Sequence, residues 1–143
     1  MSQKIDRSVF DLQTRRIGES SLPSRGPAFP PKDKAETYRE LADFWRQCSL
    51  QMHTLCSGNG IHYFHFLQPN QYVPDSKPFT EEENRLYRNN PLYKVPAEEG
   101  YPCLMAAGDI LLASGVDYCD LTFLFDGITE TIYRDDCCHY NDL

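Results

Sequence analysis

Beyond Asp33 the sequence takes up a helical period. Tyr38, Leu41, Trp45, Cys48, Met52 and Leu55 recur at alternating steps of three and four, which places them along one helix face. Asp33 can accept an amide hydrogen bond from the first turn, and Glu36 three residues on completes a capping-box pattern worth about 1 kcal/mol. Gly58 or Gly60 supplies the stop, so the spacing predicts a helix over 34–56. Gly60 to Leu67 then reads as a strand, apolar or aromatic on both faces, as in a sheet covered on both sides; Pro69 ends it. A polar, proline-rich loop over 68–78 leads to Thr80-Glu81-Glu82-Glu83, a second capping box opening a short helix that ends before Asn89-Asn90-Pro91. A third helix is predicted from about Tyr101 to Ala113, with Pro102 near its first turn and Gly115 just past its end. Val116 to Leu121 is the second strand candidate. Helix, strand, helix, helix, strand implies an α/β protein whose sheet is mostly parallel, with right-handed crossovers.

Residues 1–33 lack such periodicity. Gly18, Pro23, Gly26, Pro27, Pro30 and Pro31 lie among serines and charges, which predicts an extended Pro/Gly-rich segment preceding a domain over 34–143. The chain's 143 residues suit one core, and the composition, 41% hydrophobic with nine Tyr and eight Phe, is that of a globular protein. Charge narrows the partners. Residues 1–34 carry seven Lys/Arg against four Asp/Glu, leaving seven against seventeen for the rest, and so acidic a body repels phosphate backbones. No nucleic-acid partner is expected. No apolar run reaches the length of a membrane span, and no signal-like stretch follows Met1; the compartment stays open. The six cysteines are irregularly spaced and do not require a disulfide framework; Cys48 and Cys119 read as small buried hydrophobes.

The residues with chemical potential gather near the end, in Asp136-Cys137-Cys138-His139. A carboxylate three positions before an imidazole can build two thirds of a hydrolytic triad, in which the imidazole takes a proton from a nucleophile while the carboxylate fixes its tautomer. Asp135 is the adjacent alternative. An isolated Asp-x-x-His is nevertheless more often a pair of ordinary polar loop residues. The loop from Gln68 to Tyr72 follows the carboxyl end of the first strand, the edge where open α/β sheets bind ligands, and it reads equally as a pocket wall or as a stiffened crossover. Gln68, Asn70 and Gln71 are its candidate substrate-binding residues. No metal site is expected. His62 and His65 would point to opposite faces of a strand, and vicinal Cys137 and Cys138 lack the spacing of a zinc knuckle. Glu81, Glu82 and Glu83 suit a helix N-terminus and are given no catalytic part.

Asp136-x-x-His139, preceded by Ile132-Tyr133 and followed by Tyr140-Asn141, resembles the last sequence block of the SGNH (GDSL-type) hydrolases. The stretch from Tyr63 to Tyr72, with Asp120-Leu121-Thr122 downstream, is similar to the later half of bacterial members. This resemblance runs from about residue 35 to the end. It implies a partial three-layer α/β/α sandwich, the flavodoxin-like fold of that superfamily without its N-terminal half, with His139 as general base and Asp136, selected by the family spacing, as its partner. It also implies ester hydrolysis through a serine, with no cofactor. The family's Gly-Asp-Ser nucleophile block and its Gly-x-Asn-Asp oxyanion block do not occur here. The expectation is therefore the C-terminal portion of a serine ester hydrolase, inactive on its own and prone to self-association. The competing expectation is an inactive pseudo-hydrolase or a protein-interaction module.

Overall fold

A computed structural model describes residues 33–141, which belong to the second of the two units into which the chain divides, Asp33–Leu143. The extended segment expected over 1–33 thus lies, apart from Asp33, outside the described residues. Helix α1 spans Lys34–Gly58, with the Asp33 carboxylate accepting from the Glu36 amide at 2.7 Å. Asn59 forms its C-cap and Gly60, at φ +68°, turns the chain away, so of the two candidate stop residues Gly60 supplies the left-handed turn. Strand β1 covers Phe64–Leu67 and helix α2 covers Glu81–Leu86, the latter opened by a complete capping box between Thr80 and Glu83. Helix α3 spans Pro91–Ala113 and β2 spans Asp117–Asp120.

The two strands pair in parallel, Phe64 opposite Asp117 and Leu67 opposite Asp120. The molecule is accordingly mixed α/β, helices around a small parallel sheet. Helix α3 packs on α1 and on both strands, and Leu67, Ala107, Leu111 and Val116 are buried where they meet. The Tyr118 ring lies so close over Gly108 that any side chain there would collide with it. His65, on the covered face, packs 4.5 Å from the Trp45 ring and within 2.5 Å of Ser49 Oγ; burial lowers its pKa and favours the neutral ring. No helix among the described residues is long and apolar enough to cross a membrane.

Four expectations are corrected. Helix α3 begins ten residues earlier than the predicted Tyr101, because Pro91 occupies its first turn, where a missing amide costs nothing, and Pro96 and Pro102 are tolerated inside it. Strand β1 is covered on one face only: Leu67 is buried, whereas Phe64 and Phe66 are 59% and 56% exposed, because α1 and α3 pack on one side of the sheet. Cys119 on β2 is exposed for the same reason. Helix α1 also turns a different stripe inward. Ala42 and Ser49 are buried with Trp45 half-buried between them, while Leu41, Cys48, Met52 and Leu55 of the predicted apolar side are exposed, as is Phe44. The apolar arc of α1 is wider than the surface that covers it.

Candidate active site

The chain after α3 and β2 returns as an irregular segment that closes on itself. Tyr133 and Tyr140 form an antiparallel bridge, Asn141 N donates to Ile132 O at 2.7 Å, and Arg134 N donates to His139 O at 3.1 Å. Asp135 to His139 are the tip of this loop. One carboxylate organises it: Asp135 Oδ1 accepts from the amides of Cys137 at 2.8 Å and His139 at 3.3 Å, and Oδ2 lies 2.5 Å from His139 Nδ1. Partial desolvation opposes the charge, but the hydrogen bonds from the His139 ring and the two amides outweigh it and hold the Asp135 carboxyl below the usual carboxylate range. In the neutral ring Nδ1, facing an ionised acceptor, carries the proton, which leaves Nε2 with its lone pair. Nε2 bonds to no protein group among the described residues, and the ring is 63% exposed.

The resemblance selects Asp136, with Asp135 the adjacent alternative, and the geometry brings His139 to Asp135. Asp136 Oδ2 accepts instead from Asn90 Nδ2 at 2.7 Å, while Asn90 Oδ1 caps the first turn of α3 by accepting from the Leu92 amide. The reason is local. Five residues bent into a turn allow the first side chain to fold back over the last, whereas Asp136, one position on, points across to the α3 N-terminus.

Of the three candidate substrate-binding residues, two hold the loop. Gln71 is fully buried, and its amide donates to Asp135 O at 2.8 Å and Tyr87 O at 3.0 Å. Gln68 Nε2 reaches Cys138 O at 3.4 Å. Tyr72 and Tyr140 complete the zipper, the first donating to Asp136 O at 2.9 Å and the second to Pro69 O at 2.8 Å. Asn70 alone faces a cleft, a space of about 330 Å³ between α1, α3 and the loop tip. Tyr38, Leu92, Pro96 and Leu104 give it apolar walls, and Asp136, Cys137 and Cys138 close one side. His139 does not line it.

A buried ion pair anchors the near arm of the loop. Lys77 Nζ and Glu83 Oε2 are 2.7 Å apart with both side chains fully enclosed, and Glu83 Oε1 accepts from the Ile132 and Tyr133 amides at 2.9 and 3.1 Å. Burial pushes the Glu83 carboxyl up, yet Lys77 and the Thr80, Ile132 and Tyr133 amides overcome it and keep the pKa lowered. The sequence marks Glu83 only as a capping residue and gives Asn90 and Tyr72 no part in the site; Asn90, immediately before Pro91, carried a readable cap signal. Among the described residues no three His, Cys, Asp or Glu side chains gather closely enough to hold a metal ion.

Comparison with protein-family models, with curated proteins and with solved structures found no match. The likeness to SGNH hydrolases rests on the residues themselves.

Proposed function

We propose that the chain carries the base-and-acid pair of a serine ester hydrolase of the SGNH type, with the nucleophile and oxyanion donors supplied from outside the described residues. His139 is the general base and Asp135 the carboxylate that holds it; Asp136, through Asn90, ties the same loop to α3. In this reading the helices and the parallel strand pair are part of a three-layer α/β/α sandwich, and Asn70 stands at the substrate cleft. The observation that carries it is the 2.5 Å approach of Asp135 Oδ2 to His139 Nδ1, with Nε2 left free. A serine hydroxyl meeting Nε2 would pass its proton to the ring and attack the ester carbonyl. The imidazolium, steadied by Asp135, would return that proton to the leaving alcohol, and water would then hydrolyse the acyl-enzyme by the same route. The chemistry needs neither metal nor organic cofactor. None of the four described serines meets His139: Ser49 is buried against His65, Ser76 and Ser114 donate to backbone carbonyls, and Ser57 lies in the last turn of α1.

The test is p-nitrophenyl acetate hydrolysis by this chain alone and by the chain expressed together with the polypeptide encoded immediately upstream. Expected are no turnover above buffer for the chain alone, turnover for the joint product, and a loss of about 10⁴-fold in that product on Asp135→Asn. A joint product that keeps its rate within a few-fold on both Asp135→Asn and His139→Gln contradicts the assignment.

A second reading, a non-enzymatic interaction module, is favoured by the apolar surface. Phe44, Phe64, Phe66 and Leu112 are each more than half exposed. Association that grows with concentration and falls on Phe66→Ser, together with an inactive joint product, would select it.

A further inference from the structure

The proposed chemistry leaves one pair of nucleophiles unused. Cys137 and Cys138 are adjacent, both free, both half-buried, and both line the cleft between α1, α3 and the loop tip. Tyr93 from α3 lines the same cleft. Cys138 holds φ +61°, a left-handed conformation unfavourable for a residue with a Cβ, which the hydrogen bonds of Asp135 and Gln68 to this turn maintain. Two thiols are thus presented side by side at an open cleft, one residue before the imidazole.

We propose that Cys137 and Cys138 form a redox-modifiable vicinal dithiol that a low-molecular-weight disulfide closes to a Cys137–Cys138 disulfide. One thiolate attacks the small disulfide, forming a protein mixed disulfide and expelling one small thiolate. The neighbouring thiolate then attacks the protein-side sulfur and expels the second. The protein loses two electrons and two protons. The reagent gains both and leaves as two small thiols. Adjacent Cα atoms stand about 3.8 Å apart, below the ~4.4–6.8 Å that disulfides ordinarily span, so the ring is strained and reduction reopens it readily. Closure cannot occur without turning the Cys138 backbone and its neighbours, which include the two amides held by Asp135. The disulfide itself does not depend on the catalytic role proposed for the loop. Its effect on catalysis rests on the base role proposed for His139.

The test equilibrates the whole protein with glutathione at rising oxidised fraction, followed by acid quench, alkylation and trypsin. Arg134 is the last Lys or Arg, so the peptide starting at Asp135 contains these two cysteines and no other. Expected is a peptide two hydrogens lighter that resists alkylation and regains both thiols with dithiothreitol. The His139 ring resonance of the intact protein should shift over the same range. A glutathione adduct that persists on either residue, a bond from either to a third cysteine, or two alkylatable thiols at the most oxidising ratio overturns the proposal. Formation of the ring with an unmoved His139 resonance removes its link to the site, while an inactive joint product would count against the hydrolase reading alone.

Discussion

Asp135 receives three hydrogen bonds from within four residues of itself, two from amides and one from a ring. An aspartate at the start of a turn commonly takes the first two; the third makes it more than a turn residue. The pair is exposed, so its Coulomb energy contributes little to stability, and its value is positional: it fixes which nitrogen of His139 carries the proton. Gln71 does comparable work from beneath, spending its amide on the Asp135 carbonyl while its own Oε1 stays buried without a partner. Gly108 is the residue at which steric demand is sharpest. Gly108→Ala would drive a methyl group into the Tyr118 ring and should cost roughly 1–3 kcal/mol, read as a lower melting temperature with unchanged secondary structure. A variant as stable as the parent would show that Tyr118 can leave its site freely.

At the scale of elements, what could be read from the chain depended on how local the signal was. The Asp33 cap and the Thr80–Glu83 capping box were legible because each involves neighbours within four residues, and both form. The first half of α3 was not, because Pro91 read as the stop of the preceding helix and Pro102 as the first turn of the next, whereas the helix begins at Pro91. The role of Glu83 was hidden for a different reason. Its capping pattern named the partner at Thr80 but not Lys77 or the strand-like Ile132 and Tyr133, which are about fifty residues away and reached only by tertiary packing. Glu83→Gln should therefore destabilise the fold by about 3–5 kcal/mol, since it strands a buried lysine. The same group sets an acid limit. Its folded pKa lies below the unfolded value of 4.5, so its contribution is complete above that value and disappears as pH falls through the lower, folded one. A melting temperature that drops below about pH 4 in the parent, and less steeply in Glu83→Gln, is expected; parallel slopes would contradict it.

For the molecule as a whole, the alternation of helix and strand announced the α/β class, and two short parallel strands realise it. The lateral cover of the sheet was not legible, because a strand apolar on both faces states a need for burial without stating what meets it; Phe64 and Phe66 remain exposed. Half of the candidate site was legible as well: the position of His139 and an acid beside it were readable, and which of two adjacent aspartates would face the ring was decided by the closing of a turn against Gln71, Tyr72 and Asn90. That choice is the centre of the functional proposal. Long-range ¹H–¹⁵N correlation of the His139 ring above its titration, in the parent, Asp135→Asn and Asp136→Asn, tests it directly. The Nδ1–H form should dominate in the parent and in Asp136→Asn and give way to the ordinary tautomer mixture in Asp135→Asn. A ring indifferent to Asp135, or one released by Asp136→Asn instead, contradicts the assignment.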